Sequence, residues 1–327
     1  MQLKYEVQAD WILLTSCNFR CRYCFVPLSD LASKITTYAT HAQWADGFDA
    51  TGKTWLLHIT GGEPSIYPGL VDLCEKLTQR HYLSINTNLS HRCFESFADR
   101  INPQRVHYIN AAVHQEARPS QNSLDAFIRR AQKLKERRFQ VLISLVMTPV
   151  MVQKYSEVAA YFEAHGLAPI PKVMTEGFEG KIYPDGYTIE EKSLIRKYSA
   201  KARRDYAWIA EEIGETPTIN VLADDSLLDR SLLHLGKLCG SGHNFVRIEP
   251  DGTVVRCGSG MRLGNILLRD VALLDAPKPC DTIYCPYFCA KYTAPPFVPA
   301  LQNKRELDDV FLKLKNFRDS KRRSQAQ

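Results

Sequence analysis

Three cysteines stand within eight positions of the stretch SCNFRCRYCF, as Cys17, Cys21 and Cys24. Such short spacings in a loop let three thiolates converge on one small object. Zinc usually takes four ligands built from C-x2-C pairs, and no neighbouring Cys or His completes that set here. A 4Fe-4S cubane held by three thiolates keeps one iron open, and an open iron can do chemistry. A second set, Cys239, Cys257, Cys280, Cys285 and Cys289, clusters near the other end of the chain. Cys74 and Cys93 stand alone in helix-like stretches and read as core thiols.

Between the two sets, Gly61-Gly62-Glu63-Pro64 closes a predicted strand 37 residues after Cys24. Glycines let the backbone approach a neighbouring group closely, and Glu63 can accept or support a hydrogen bond there. A turn with a solvated glutamate is the plainer alternative.

Together these residues resemble the radical SAM superfamily, whose hallmark is C-x3-C-x2-C with an aromatic before the third cysteine, here Cys17, Cys21, Tyr23 and Cys24. The resemblance implies a 4Fe-4S cluster on the three cysteines, with S-adenosylmethionine chelated to the open iron. It implies cleavage of SAM to methionine and a 5'-deoxyadenosyl radical that takes a hydrogen atom from an unactivated carbon, with the electron supplied by a reductant such as flavodoxin or ferredoxin. Gly61, Gly62, Glu63 and Pro64 are similar to the family's GGEP element, which holds the methionyl amino group. By the same resemblance Asn86, Thr87 and Asn88 would contact the SAM carboxylate or ribose, with an Asx turn as the alternative. Ser144 would meet the ribose, and Val173 and Met174 would pack on adenine or belong to the core. His114 and Glu116 would face the substrate cavity.

Cys239 and Cys257 bracket Gly252 as C-x12-G-x4-C. This arrangement, with Leu263-Gly264-Asn265-Ile266 after it, resembles the SPASM/Twitch extensions of that superfamily. A full SPASM module has seven cysteines, so five fit a Twitch-like module with one auxiliary 4Fe-4S cluster. A cubane takes at most four protein thiolates. The resemblance makes Cys239, Cys257 and two of Cys280, Cys285 and Cys289 the ligands, with Cys289 favoured. The fifth thiol is left as a looser ligand, a structural thiol or a hydrogen-atom donor near substrate. His114-x-Glu116 with Pro279-Cys280 superficially matches the zinc deaminase signature, but the second pair is C-x4-C and lies far downstream, which excludes it.

What must position these residues is an alternation of strands and helices. Strands are predicted near 9–16, 54–60, 82–88, 106–113, 140–148 and 169–175, with helices around 40–50, 68–80, 91–100, 121–138 and 151–165. In the clearest helix, Leu124, Phe127, Ile128, Ala131 and Leu134 keep helical spacing. Six alternations predict an α/β fold with a parallel sheet, a partial (β/α)6 radical SAM barrel by the resemblance, whose functional residues sit at the C-terminal strand ends. Thr188 with Glu191 makes a capping box for a long helix running to about residue 213. Beyond it, FVRIEP and TVVRCG flank Asp251-Gly252, a strong hairpin signal. The expected organisation is a core over 1–215, a linker over 216–235, a small Cys-rich auxiliary module with a β-hairpin over 236–298, and an amphipathic helix with a basic tail over 299–327.

The charge of +6 sits mostly in that tail, where residues 301–327 hold eight Lys/Arg and four Asp/Glu. A near-neutral body predicts no nucleic-acid face. The stripe Leu307, Val310, Phe311 and Leu314 is expected to pack on the body. Glu6 and Asp10 stand where a signal peptide would be apolar, and no apolar run reaches membrane-spanning length, which predicts a cytoplasmic protein without membrane contact.

The chain starts about ten residues before its first strand, so no N-terminal peptide-recognition domain is expected. That favours a small molecule from a biosynthetic pathway, such as a sugar or aminocyclitol, dehydrogenated or epimerised, over a peptide side chain. Tyr183, Asp185 and Tyr187 in the loop GFEGKIYPDGY could hydrogen-bond a polyol, or the loop could be a plain linker. The alternative of another class is a non-catalytic iron-sulfur protein that transfers electrons or senses redox state, and three rather than four cysteines in the first set argue against it.

Overall fold

A computed structural model of the chain describes residues 3–206, 225–229, 234–257, 260–283 and 285. Six strands lie side by side in chain order and all parallel: β1 (Val7–Leu14), β2 (Trp55–Gly61), β3 (Tyr82–Thr87), β4 (Val106–Ala112), β5 (Val141–Val146) and β6 (Pro169–Lys172). Helices connect them: α1 (Leu28–Leu31) and α2 (His41–Ala50), then α3 (Leu70–Leu77), α4 (Cys93–Arg100), α5 (Gln121–Glu136) and α6 (Pro149–Glu163), with α7 (Ile189–Asp205) after β6. All six predicted strands and all five predicted helices are present. In α5, Ser120 caps the N-terminus by accepting from the Ser123 amide, and the five residues at helical spacing are the buried ones. Thr188 and Glu191 form the reciprocal capping box at the start of α7.

Parallel strands bury both faces, and successive side chains alternate between them. Val7, Ala9, Trp11 and Leu13 of β1, with Trp55, Leu57 and Ile59 of β2, pack in the main apolar core. The opposite, inner face carries Gln8, His58, Ser84, Asn110 and Ser144, all buried. Polar groups on the inner face of a parallel sheet are a cost to folding unless they are paired or used.

A short hairpin follows β6, made of β7 (Glu176–Phe178) and β8 (Lys181–Tyr183). After it come β9 (Leu238–Cys239), β10 (Phe245–Ile248), β11 (Thr253–Val255), β12 (Arg262–Asn265) and β13 (Lys278–Pro279). The hairpin expected around Asp251-Gly252 is β10–β11, with Arg247 opposite Val255 and Ile248 opposite Val254. Gly252 has φ +85°, and a Cβ there would lie 2.9 Å from Asn265 Oδ1. The hairpin does not stand apart. β10 runs parallel to β1, with Asp10 beside Arg247 and Trp11 beside Ile248, so one sheet of nine strands runs from β12 to β6. Val246, Ile248, Val254, Leu263 and Ile266 consequently join the barrel's core.

The stripe from Leu307 to Leu314, the basic tail, most of the linker, the end of the long helix and Cys289 lie outside the described residues. Among the described residues no helix is long and apolar enough to cross a membrane.

Candidate functional site

The triad loop leaves the C-terminal end of β1 and is fastened at several points. Ser16 donates its hydroxyl to the carbonyl of Ser33 at 2.7 Å, and the Cys17 amide donates to Leu31 at 3.0 Å. The Phe19 amide donates to Cys17 Sγ at 3.3 Å, and the Cys24 amide closes a turn onto the Cys21 carbonyl at 3.0 Å. All three thiols are half-buried. Burial pushes the Cys21 thiol up to about 12, partly offset by the Tyr23 hydroxyl and reinforced by Cys24 and Cys17. Burial raises Cys17 as well, with Glu63 and Cys24 adding to it. Among the described residues no three His, Cys, Asp or Glu side chains are drawn close enough to hold an ion as they stand. The fit to an iron-sulfur cluster lies in the donor chemistry. Cys17 and Cys21, held protonated by burial, would give up their protons once positive charge sits beside them, which is what a bound cluster would provide.

The end of β2 is sewn to the same loop. The Gly62 amide donates to Leu14 and the Glu63 amide to Ser16, both at 2.9 Å. A Cβ on Gly61, whose φ is +136°, would lie 2.1 Å from the Leu14 carbonyl oxygen, and one on Gly62 would lie 2.0 Å from that of Ser16. The glycines therefore serve a close approach of two backbones as well as any approach to a ligand. Pro64 opens a short 3-10 turn that Glu63 caps. The Glu63 carboxylate is buried and accepts three hydrogen bonds: Oε1 from the Ser65 amide at 2.9 Å and the Thr87 hydroxyl at 2.6 Å, and Oε2 from the Asn88 amide at 2.6 Å. It ties the end of β2 to the end of β3 and is not a solvated turn residue.

At the end of β3, the Ser90 amide donates to Asn88 Oδ1 at 2.9 Å, which is the Asx turn. Asn88 Nδ2 donates to Asn18 Oδ1 at 2.9 Å, reaching into the triad loop, and Asn86 is half-buried opposite Asn110 of β4. Ser144 Oγ and Asn110 Oδ1 are buried without a hydrogen-bond partner, on strands that lie side by side. Buried polar atoms of this kind call for a water or a ligand. Val173 and Met174 are buried in the main apolar core.

Tyr183 and Tyr187 do not serve as open polyol contacts. Tyr183 is 1% exposed. The Tyr187 hydroxyl donates to the Met147 carbonyl at 2.5 Å and accepts from the Met174 amide at 3.0 Å, so both its roles are filled within the protein. Asp185 is exposed.

His114, just past β4, adopts a left-handed φ of 46°. Its Nδ1 lies 2.9 Å from the Tyr23 hydroxyl, and the two rings stack. Burial lowers its pKa to about 3, with Lys172 and Arg118 adding to the effect, so His114 is neutral. Glu116 accepts from the Thr148 hydroxyl at 3.3 Å.

Two cations at the site carry no spacing signal in the sequence. Arg118 donates Nε–H to Val113 O at 2.6 Å and Nη2–H to Asn88 O at 2.7 Å, and lies over the rings of Phe19 at 5.5 Å and Phe127 at 4.5 Å. Burial lowers it to about 10, opposed by Glu63, Tyr23 and Cys21, so it remains charged beside the triad loop. Lys172, at the end of β6, is lowered by burial and raised by Cys24. The inner face below adds His58, which holds Ser84 through Nδ1 and Gln8 Oε1 at 2.9 Å through Nε2, and Asp10, whose carboxyl burial pushes up to about 6.

In the second cysteine set, β9 pairs with β13 so that Cys239 lies opposite Lys278, one residue before Pro279-Cys280. The Ser241 amide donates to Cys239 Sγ at 3.4 Å, and the Cys280 thiol lies 3.2 Å from the Thr282 hydroxyl. A hydrogen bond with Cys239, followed by burial, raises the Cys280 thiol. Cys257 is buried at the end of β11, and Cys285 is half-buried.

Residues 11–163 match the sequence model described as the radical SAM superfamily, a family that binds a 4Fe-4S cluster and SAM. An 82-residue stretch is 34% identical to GTP 3',8-cyclase of Pseudomonas fluorescens (strain Pf0-1) and spans 22% of this chain. That match covers only 23% of the relative's length. Among solved structures, native anSMEcpe with bound AdoMet and Kp18Cys peptide is similar at TM-score 0.54 and 17% identity, over 80% of this chain and 77% of that one. Streptococcus suis SuiB bound to S-adenosylmethionine is similar at TM-score 0.54 and 15% identity, over 84% and 67%. At such identities the likeness concerns the fold.

Proposed function

We propose, from the radical SAM domain of residues 11–163, that this chain is an enzyme that binds a 4Fe-4S cluster on Cys17, Cys21 and Cys24 and S-adenosylmethionine beside it. When bound, the two together supply the 5'-deoxyadenosyl radical that takes a hydrogen atom from substrate. The single observation that carries this reading is Glu63, whose buried carboxylate joins the ends of β2 and β3 while its amide holds Ser16 of the triad loop. The chain's residues orient and exclude water. Asn18 and Asn88 fix the loop against β3, and the unpaired Ser144 hydroxyl offers a partner to a ribose hydroxyl. Neutral His114, held on Tyr23, can accept or pass a proton on the substrate side.

A second 4Fe-4S cluster is assigned to Cys239, Cys257 and Cys280, with Cys285 or Cys289 as fourth ligand. The substrate favoured is a small polar molecule such as a sugar or aminocyclitol, dehydrogenated or epimerised. The polar inner face of Asp10, His58, Ser84 and Asn110 supports this. A peptide substrate is the second reading, favoured by the likeness to a structure that holds one.

Reconstituted protein given SAM, a reductant and panels of aminocyclitols, sugars and short peptides should form 5'-deoxyadenosine in step with the loss of one small polar compound. Loss of a hydrogen pair identifies dehydrogenation, and deuterium taken from the solvent identifies epimerisation. Turnover of peptides alone would replace the first reading by the second.

A further inference from the structure

Arg256 directly precedes Cys257 and is 7% exposed. Its Nε–H donates to the carbonyl of Ser241 at 3.1 Å, two residues after Cys239. Its Nη2 donates to the carbonyls of Lys278 at 3.0 Å and Pro279 at 2.8 Å, immediately before Cys280. Its own carbonyl accepts the Ser241 hydroxyl. One guanidinium thus spans the three segments that carry Cys239, Cys257 and Cys280. The backbone alone joins them weakly, since β9 and β13 are two residues each.

The charge matters as much as the geometry. The hydrogen-bond partners of this guanidinium are neutral backbone carbonyls, and among the described residues no ion pair joins it to a carboxylate. A buried cation without a counter-charge is costly. The segments it joins carry Cys239, Cys257 and Cys280, which would be negatively charged as thiolate ligands of a cluster.

We infer that Arg256 is the positioning and charge-balancing residue of the auxiliary iron-sulfur site. Its planar fork sets the spacing of three cysteine-bearing segments, and its charge offsets that of the thiolates once they hold iron. Lysine is a poor substitute, because a single ammonium lacks the planar fork whose separate nitrogens reach Ser241 on one side and Lys278 and Pro279 on the other. This inference rests on the auxiliary cluster proposed above.

The test compares wild type, Cys239→Ala, Arg256→Lys and Arg256→Gln after anaerobic reconstitution, by iron and sulfide content and by redox-poised EPR of the auxiliary signal. Wild type should hold roughly eight irons per chain, four for each cubane. Roughly four irons, unaltered by Cys239→Ala, would overturn the auxiliary-cluster reading itself. With wild type at eight, Arg256→Gln should fall to about four, and Arg256→Lys should lose part of the auxiliary iron and shift the midpoint potential of what remains. Where Arg256→Gln yields no folded protein, Arg256→Lys decides. Full iron with an unchanged auxiliary signal and potential in that variant overturns the inference.

Discussion

Glu63 Oε2 accepts the backbone amide of Asn88 at 2.6 Å, and Asn88 in turn donates its side-chain amide to Asn18 inside the triad loop at 2.9 Å. A buried carboxylate therefore fixes the relation between the strand ends and the cysteines. Glu63→Gln keeps the volume but replaces an acceptor by a donor where amides already point. Its unfolding free energy should fall by about 1–3 kcal/mol, and SAM binding, followed by equilibrium dialysis, should weaken about tenfold or more, roughly 1.4 kcal/mol. Unchanged affinity would remove Glu63 from the cofactor grip.

Gly62 tests the seam between β2 and the triad loop. A Cβ there would lie 2.0 Å from the Ser16 carbonyl oxygen and 2.3 Å from that of Thr15, and backbone on both sides leaves little room to yield. Gly62→Ala should destabilise by about 1–3 kcal/mol, as overpacking does, and should lower the iron bound at Cys17, Cys21 and Cys24. Iron analysis in a Cys239→Ala background isolates that site.

Arg118 holds the carbonyls of Val113 and Asn88. Arg118→Met keeps an apolar stem over Phe127 but orphans both carbonyls, at about 1–3 kcal/mol for each buried group left unpaired. Denaturant unfolding should show the loss. The triad iron should become easier to remove with a chelator than the auxiliary iron, whereas equal loss from both would make Arg118 a general fold residue.

Asp10 gives a pH signature. Burial raises its carboxyl from the ordinary 3.8 to about 6, with Arg247 opposing and Glu249 adding. The folded chain thus holds this proton more tightly than the unfolded one. Its contribution to stability is present below about pH 4 and lost as pH rises through about 6. Asp10→Asn cannot ionise, so it should match wild type near pH 4 and exceed it near pH 7 by up to about 2 kcal/mol, water at the half-buried residue screening part of the penalty. Parallel stability curves across that range would contradict this.

Much of the scaffold was legible in the sequence because periodicity and capping are local. The five buried residues of α5, the Thr188–Glu191 box and the Asp251-Gly252 turn all follow from neighbours in the chain. Groups that act across the sheet were not legible. Arg118 meets Asn88 thirty residues away, and Arg256 meets Pro279 twenty-three away. Tyr187 looked free for a ligand because nothing local foretells that Met147 and Met174 occupy its hydroxyl. The hairpin looked like part of a separate module because its partner, β1, lies more than 200 residues earlier.

The most direct measurement is the product of SAM under reducing conditions. Anaerobically reconstituted protein, given dithionite and SAM, should release 5'-deoxyadenosine and methionine, and Cys24→Ala should release neither. Wild type with full iron content that leaves SAM intact would contradict the radical SAM reading and leave an iron-sulfur protein that only carries electrons.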